Sequence, residues 1–190
     1  MGYMSSDIYI RKASISDAEE LLTIYTDYVL NSAVTFEYDV PTKEEFENRI
    51  EHTLEKYPYL VAVQEDKILG YAYASQFHTR AAYQWNAETS IYVKKKQRQT
   101  GIGRMLYTHL EQALKAQGVL NLNACIAYTE CEDEHLTNAS VKFHEKMGYS
   151  IAGRFHQCGY KFDQWYDMVW MEKHIGEHLK HPKPVVPFAK

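Results

Sequence analysis

The chain has 190 residues, enough for one domain with a sizeable core and cramped for two. Its 45% hydrophobic and 24% charged residues suit a globular protein, and a net charge of −4 offers no bulk attraction to nucleic acid or an anionic membrane. Cys125, Cys131 and Cys158 form no CxxC pair, which argues against a disulfide framework or a zinc site, and His135, His144 and His156 lack ligand-like spacing, so no metal is expected.

In chain order, Ser16-Asp17-Ala18-Glu19 reads as a capping box ahead of a helical pattern at Leu21, Leu22, Ile24, Tyr25, Tyr28 and Val29. Thr42-Lys43-Glu44-Glu45 is a second capping box, followed by Phe46, Ile50 and Leu54 at helical spacing. The period then changes. Tyr59–Val63 reads as a strand, 65–67 as a turn, Ile68–Phe77 as a second strand and Thr89–Val93 as a third. Ile102, Leu106, Leu110 and Leu114 mark a helix that Gly118 stops; Leu122–Tyr128 is a strand, and Asn138–Met147 a helix ending at Gly148. Two last strands, about 150–157 and 166–172, close around Gly159-Tyr160-Lys161. Residues 8–175 form the expected domain, and Pro182, Pro184 and Pro187 make 176–190 an extended tail. The order β-α-α-β-β-β-α-β-α-β-β predicts a mixed α/β domain with one central sheet.

Residues 97–106, QRQTGIGRML, place two glycines behind a basic stretch and ahead of a helix. A P-loop fails because no lysine follows Gly103, and a dinucleotide fingerprint fails because Leu106 stands where a small residue is needed. What remains is a helix N-terminus with unpaired N–H groups and glycines that let a diphosphate approach, while Lys94–Lys96, Arg98 and Arg104 neutralise charge. A glycine-rich tight turn is as common a reading of GxG alone.

Arg98-Gln99-Thr100-Gly101-Ile102-Gly103 resembles the pyrophosphate loop of the GCN5-related N-acetyltransferases (GNAT), and Phe143-His144-Glu145-Lys146-Met147-Gly148-Tyr149 resembles their later F-[YH]-E-K-x-G-[FY] segment. Thr35-Phe36-Glu37, Arg80–Trp85, Glu88–Val93, Leu106–Leu110, Ser140–Glu145 and Gly159-Tyr160-Lys161 with Trp165-Tyr166-Asp167 together resemble the phosphinothricin N-acetyltransferase family, from about Ile8 to the tail.

The resemblance implies a single domain whose central mixed sheet is splayed to admit acetyl-CoA, flanked by helices. Its pantetheine arm would add to Ile91, Tyr92 and Val93, and its diphosphate would lie on Arg98, Gln99, Thr100, Gly101, Ile102, Gly103 and Arg104. The family's CoA-contacting Asn falls at Thr137 here, with Asn138 one place later, and Glu130–Leu136 looks like an acidic insertion beside them.

Acetyl transfer needs a neutral amine, and an alkyl amine of pKa ~10 is about 0.1% neutral at pH 7, a cost of ~4 kcal/mol. The resemblance puts Glu88 in place to accept that proton; a surface glutamate at a strand end is the alternative. It puts His144 where it can donate to the leaving thiolate, against a satisfied core histidine. A backbone N–H near Tyr92 or Val93 would stabilise the oxyanion. By resemblance Arg80 clamps a carboxylate or phosphinate, and Phe36 and Tyr83 wall the acceptor pocket. No run approaches the ~18 apolar residues of a membrane span, and 1–14 lack the apolar stretch of a secretory leader. The expectation is therefore a cytoplasmic N-acetyltransferase acting on a small amino acid or analogue, homodimeric through the late hairpin. The alternatives are a protein N-terminal or lysine acetyltransferase and a non-catalytic CoA-binding module.

Overall fold

The computed structural model describes residues 7–188; the first six residues and the last two of the expected tail lie outside the described residues. In chain order it contains β1 (Tyr9–Lys12), α1 (Ala18–Asn31), α2 (Lys43–Leu54), β2 (Tyr59–Gln64), β3 (Lys67–Gln76), β4 (Asn86–Val93), α3 (Ile102–Gln117), β5 (Asn121–Tyr128), α4 (Ala139–Lys146), β6 (Ser150–Lys161) and β7 (Gln164–His174). This is the element order read from the sequence, with short 3-10 turns at Ile15–Asp17, Ala81–Tyr83 and Lys95–Gln97. Among the described residues, no helix is long and apolar enough to cross a membrane.

The seven strands form one mixed sheet in the order β1-β2-β3-β4-β5-β7-β6. All neighbours are antiparallel except β4 and β5. On one face α1 and α2 bury Leu21, Ile24, Phe46 and Ile50 against Val61, Ile68 and Tyr71. On the other, α3 lays Ile102, Leu106, Leu110 and Leu114 over Leu60, Ala72 and Leu122. Each such leucine contributes about 1.5–3 kcal/mol by leaving water. That outweighs the ~1 kcal/mol cost of Gly103 in the first turn of α3, so packing rather than propensity holds this helix.

Two local expectations need correction. The first capping box lies two residues earlier than predicted. The Asp17 carboxylate accepts the Ser14 N–H at 2.8 Å and both Arg11 guanidinium nitrogens at 2.7 and 2.8 Å, so the chain enters a 3-10 turn before α1 begins at Ala18. The Arg11 hydrogen bonds hold the Asp17 carboxyl below its ordinary range. The last hairpin turns at Phe162-Asp163, both left-handed with φ of 50° and 56°, and not at Gly159-Tyr160-Lys161, which continue β6 beyond a bulge.

The second capping box stands as read. The Thr42 hydroxyl accepts the Glu45 N–H at 3.2 Å, and Glu45 returns the bond to the Thr42 N–H at 2.7 Å. Thr42→Ala is expected to lower unfolding free energy by about 1 kcal/mol in a urea titration without changing activity.

Among the described residues the tail from Gly176 to Phe188 has no regular structure, yet it is bonded to the body. Gln117 exchanges main-chain and side-chain bonds with Val186, the Phe188 N–H reaches the Lys56 carbonyl, and the Trp85 indole N–H donates to the Lys183 carbonyl at 2.8 Å.

Candidate active site

The ladder between β4 and β5 is short: Asn86, Ala87 and Glu88 pair with Asn121, Leu122 and Asn123, and nothing beyond them does. Each strand keeps a long antiparallel partner on its other edge, β3 for β4 and β7 for β5. The two strands therefore part, leaving main-chain donors and acceptors facing a V-shaped gap. A cavity of about 50 Å³ lies in the gap, bounded by Val34, Ser90, Tyr92 and Cys125 and by Ile91, Tyr107 and His144.

Strand alternation divides the site between two faces. Tyr92 enters the α1–α2 side, where its ring meets Tyr25 and Tyr28 edge-on, each at 5.1 Å. Glu88 and Ser90 share that side by parity. Thr89, Ile91 and Val93 face α3 and α4.

On the α1–α2 side, Glu88 is partly buried, and burial raises its carboxyl above the ordinary range. Among the described residues its carboxylate has no hydrogen-bond or ion-pair partner. Burial also pushes the Cys125 thiol up to about 12, with the Glu88 charge contributing in the same direction. The Phe36 ring lies against the bare Cα of Gly159, where a Cβ would overlap it. Arg80 is exposed and opens the 3-10 turn carrying Tyr83, whose ring meets His78 at 4.9 Å and Phe77 at 6.0 Å. Among the described residues, no ring contact or hydrogen bond joins Phe36 to Arg80 or Tyr83. The three predicted acceptor residues sit on two segments, Phe36 between α1 and α2 and Arg80 with Tyr83 on the one 3-10 turn.

On the other side, His144 is 2% exposed. Its Nδ1 lies 2.8 Å from the Ser140 carbonyl, which can only accept, so Nδ1 carries the proton and Nε2 accepts from the Tyr107 hydroxyl at 2.9 Å. Burial lowers His144 to about 4, against the opposing Ser140 bond, so the ring is neutral at physiological pH. The Tyr107 oxygen also lies 3.3 Å from Thr89 Oγ1, which meets the Tyr149 hydroxyl at 3.2 Å. Burial holds Tyr107 well above its ordinary range. In the sequence Tyr107 stood only within the Leu106–Leu110 segment of the family resemblance, with no role assigned to it.

The glycine loop is shaped as a cradle. Gln99 and Gly101 adopt φ of 63° and 93°, and the Thr100 hydroxyl closes the turn on the Gln97 carbonyl at 2.7 Å. The first bond of α3 runs from the Met105 N–H to the Gly101 carbonyl, so the N–H groups of Ile102, Gly103 and Arg104 have no helical partner. Nothing lies within 4 Å of a Cβ placed on Gly101. Gly103 serves packing as well, because its Cβ would stand 3.1 Å from the Phe143 ring. Lys95, Lys96 and Arg104 are exposed, Lys94 pairs with Glu20 at 3.2 Å, and the Arg98 guanidinium lies 4.9 Å over the Tyr28 ring.

The main chain of β4 narrows the choice of oxyanion donor. The Lys94 N–H bonds to Leu69, so Tyr92, two residues back, also directs its N–H toward β3. Val93 points the other way, but the Tyr28 hydroxyl accepts its N–H at 3.1 Å and donates to its carbonyl at 2.8 Å. Ile91 directs its N–H into the gap. Farther along, the Asn138 amide is bonded at both ends to the Thr129 backbone, whereas Thr137 is exposed.

The acidic segment before α4 is ordered by its own carboxylates. Glu130 pairs with Arg154 at 2.9 Å, Glu132 accepts the Asn138 N–H at 3.0 Å, and Asp133 accepts from two backbone N–H groups and the Tyr166 hydroxyl.

Residues 10–170 match the acetyltransferase (GNAT) domain family. Similar proteins include a phosphinothricin N-acetyltransferase of Streptomyces viridochromogenes, 32% identical over 96% of this chain and 96% of that one. An L-methionine sulfoximine/L-methionine sulfone acetyltransferase of Pseudomonas aeruginosa is 30% identical over 91% of this chain and 98% of its own. A crystal structure of a phosphinothricin acetyltransferase from Sinorhizobium meliloti in complex with AcCoA superposes with a TM-score of 0.84 at 31% identity, covering 94% of this chain and 93% of that one.

Proposed function

Since the chain belongs to the GNAT acetyltransferases, we propose that it transfers the acetyl group of acetyl-CoA to the amine of a small amino acid or analogue of the phosphinothricin or methionine sulfoximine type, by direct attack in a ternary complex. The observation that carries this reading is the gap between β4 and β5, which opens through the sheet with an unpaired, half-buried Glu88 on one face and the glycine cradle at the other side's helix start.

Donor and acceptor then meet from opposite faces. The N–H groups of Ile102–Arg104 and the open space over Gly101 fit a diphosphate, with Lys95, Lys96, Arg98 and Arg104 neutralising charge, and Gln99 and Thr100 shaping the turn. The pantetheine arm runs beside Ile91, Tyr92 and Val93, with the exposed Thr137, rather than the bonded Asn138, free to touch it. Ile91 N–H faces the thioester oxygen and stabilises it as charge develops. The amine arrives on the α1–α2 side, past Phe36, Arg80 and Tyr83. Its ammonium proton passes through Glu88 to solvent. The neutral nitrogen forms the C–N bond and gives its second proton to the Glu88 carboxylate. The C–S bond breaks with its electron pair leaving on the thiolate, which takes a proton from solvent after release. The Tyr107 hydroxyl, whose one proton rests on His144 Nε2 before the reaction, turns that proton to hydrogen-bond the sulfur.

The edge strand β6 exposes Ile151 at 52% and Phe155 at 56%, and Trp165 beside it is 60% exposed, which supports self-pairing as a homodimer.

Coenzyme release, read with a thiol reagent, tests the reaction. Methionine sulfoximine or phosphinothricin should give saturable release, with initial-rate plots that intersect. Parallel plots would replace direct transfer by an acyl-enzyme. Release with peptides or polyamines alone would overturn the acceptor.

A further inference from the structure

We infer that Lys161 is a positioning residue for the acceptor side of the gap, holding segment 32–38 in place from across the molecule. Lys161 is 3% exposed, and among the described residues no carboxylate lies within ion-pair distance of it. Its Nζ donates instead to three main-chain carbonyls, Val29 at 2.7 Å, Ser32 at 2.8 Å and Thr35 at 2.9 Å. Three donors to three acceptors require the ammonium form, because a neutral amine has only two protons.

Those carbonyls explain the placement. Val29 and Ser32 lie at the C-terminal end of α1, where carbonyls lack helical partners and a positive charge is favourable. Thr35 directly precedes Phe36 and Glu37. The segment between α1 and α2 has no regular structure from 32 to 42, so its shape depends on such ties.

Other bonds converge on it. The Phe36 ring closes on Gly159, the Tyr38 hydroxyl donates to the Tyr160 carbonyl, and the Thr35 and Tyr25 hydroxyls meet at 2.9 Å. Val34, between the Ser32 and Thr35 carbonyls, lines the cavity itself. Residues 159–161 of β6 thus fix both Val34 and Phe36. A nucleophilic role for Lys161 does not fit, since its nitrogen is fully engaged and shielded from solvent.

The inference rests on the proposed reading, in which the acceptor enters past Phe36. The full-length Lys161→Met variant keeps side-chain length and removes the three donors. Acceptor KM should rise about tenfold or more, with acetyl-CoA affinity, measured by direct titration, within about twofold of the parent. Hydrogen exchange should quicken in 32–38 and not in α3. Gly159→Ala, which pushes Phe36 from the other side, should give the same KM pattern if Lys161→Met folds poorly. Unchanged acceptor KM in a folded variant, or equal losses on donor and acceptor sides, would overturn the inference. Failure of the parent to turn over any amine would defeat the proposed reaction instead, and hydrogen exchange would still decide whether Lys161 anchors the segment.

Discussion

Glu88→Gln is expected to lower kcat/KM for the amine by about 10²–10⁴-fold while acetyl-CoA binding, titrated directly, stays as in the parent. The amide keeps the shape of the side chain and removes its basicity, so only proton acceptance is lost. Glu88 is suited to that step because burial raises its pKa without any partner to hold it. Its conjugate base is a stronger proton acceptor than a surface carboxylate. The working form is the carboxylate, so activity should fall as pH drops through the raised pKa, and the variant should lose this acid limb. Stability follows the opposite sign. A carboxyl whose folded pKa is raised contributes stability below its unfolded pKa and loses it as pH rises through the folded one. At neutral pH the buried charge is a burden, and Glu88→Gln should melt no lower than the parent. A variant that retains turnover would remove Glu88 from the chemistry.

Tyr107→Phe should cost kcat about 10- to 100-fold, the worth of a hydrogen bond of about 1.5–3 kcal/mol to a charged group, here the departing thiolate. The hydroxyl has one proton. In the resting structure it goes to His144 Nε2, and the Ser140 carbonyl fixes the tautomer that makes Nε2 an acceptor. Neither group is a strong acid in this setting, since burial keeps Tyr107 protonated and His144 neutral. The site therefore offers the sulfur a hydrogen bond rather than a full proton. With His144 held to about 4, the pH profile should show no histidine limb near neutrality. Such a limb, or an unchanged kcat in Tyr107→Phe, would refute this account of the leaving group.

The residues that sequence reasoning located are those whose signal is local. The glycine loop, the Thr42 box and the alternation of β4 each declare themselves within a few positions. Glu88 was singled out by the family resemblance, at the start of the Glu88–Val93 segment. The hairpin turns show the limit. Glu65-Asp66 was read as a turn from its polar run, but Phe162-Asp163 has neither Gly nor Asn, and nearby Gly159 drew the turn to itself. That glycine answers to Phe36, more than a hundred residues earlier. The same applies to the groups that sequence reasoning missed or assigned otherwise: Tyr28 with Val93, Tyr107 with His144 and Lys161 with Val29 are separated by 65, 37 and 132 residues. Each reads as an ordinary core or strand residue until its partner is known.

The strand order has a consequence for how the chain is made. β7, which follows every other strand of the sheet in the chain, lies between β5 and β6. Until it emerges from the ribosome, β5 has only three paired residues on one edge and none on the other, and the bonds from 183–188 to Trp85, Lys56 and Gln117 cannot form. A nascent chain thus exposes an apolar strand with open edges beside its half-built gap, a form prone to sticking to other chains. Completion of the sheet waits for β7, so the penalty for slow translation, or for a premature stop after β6, falls on solubility before it falls on catalysis.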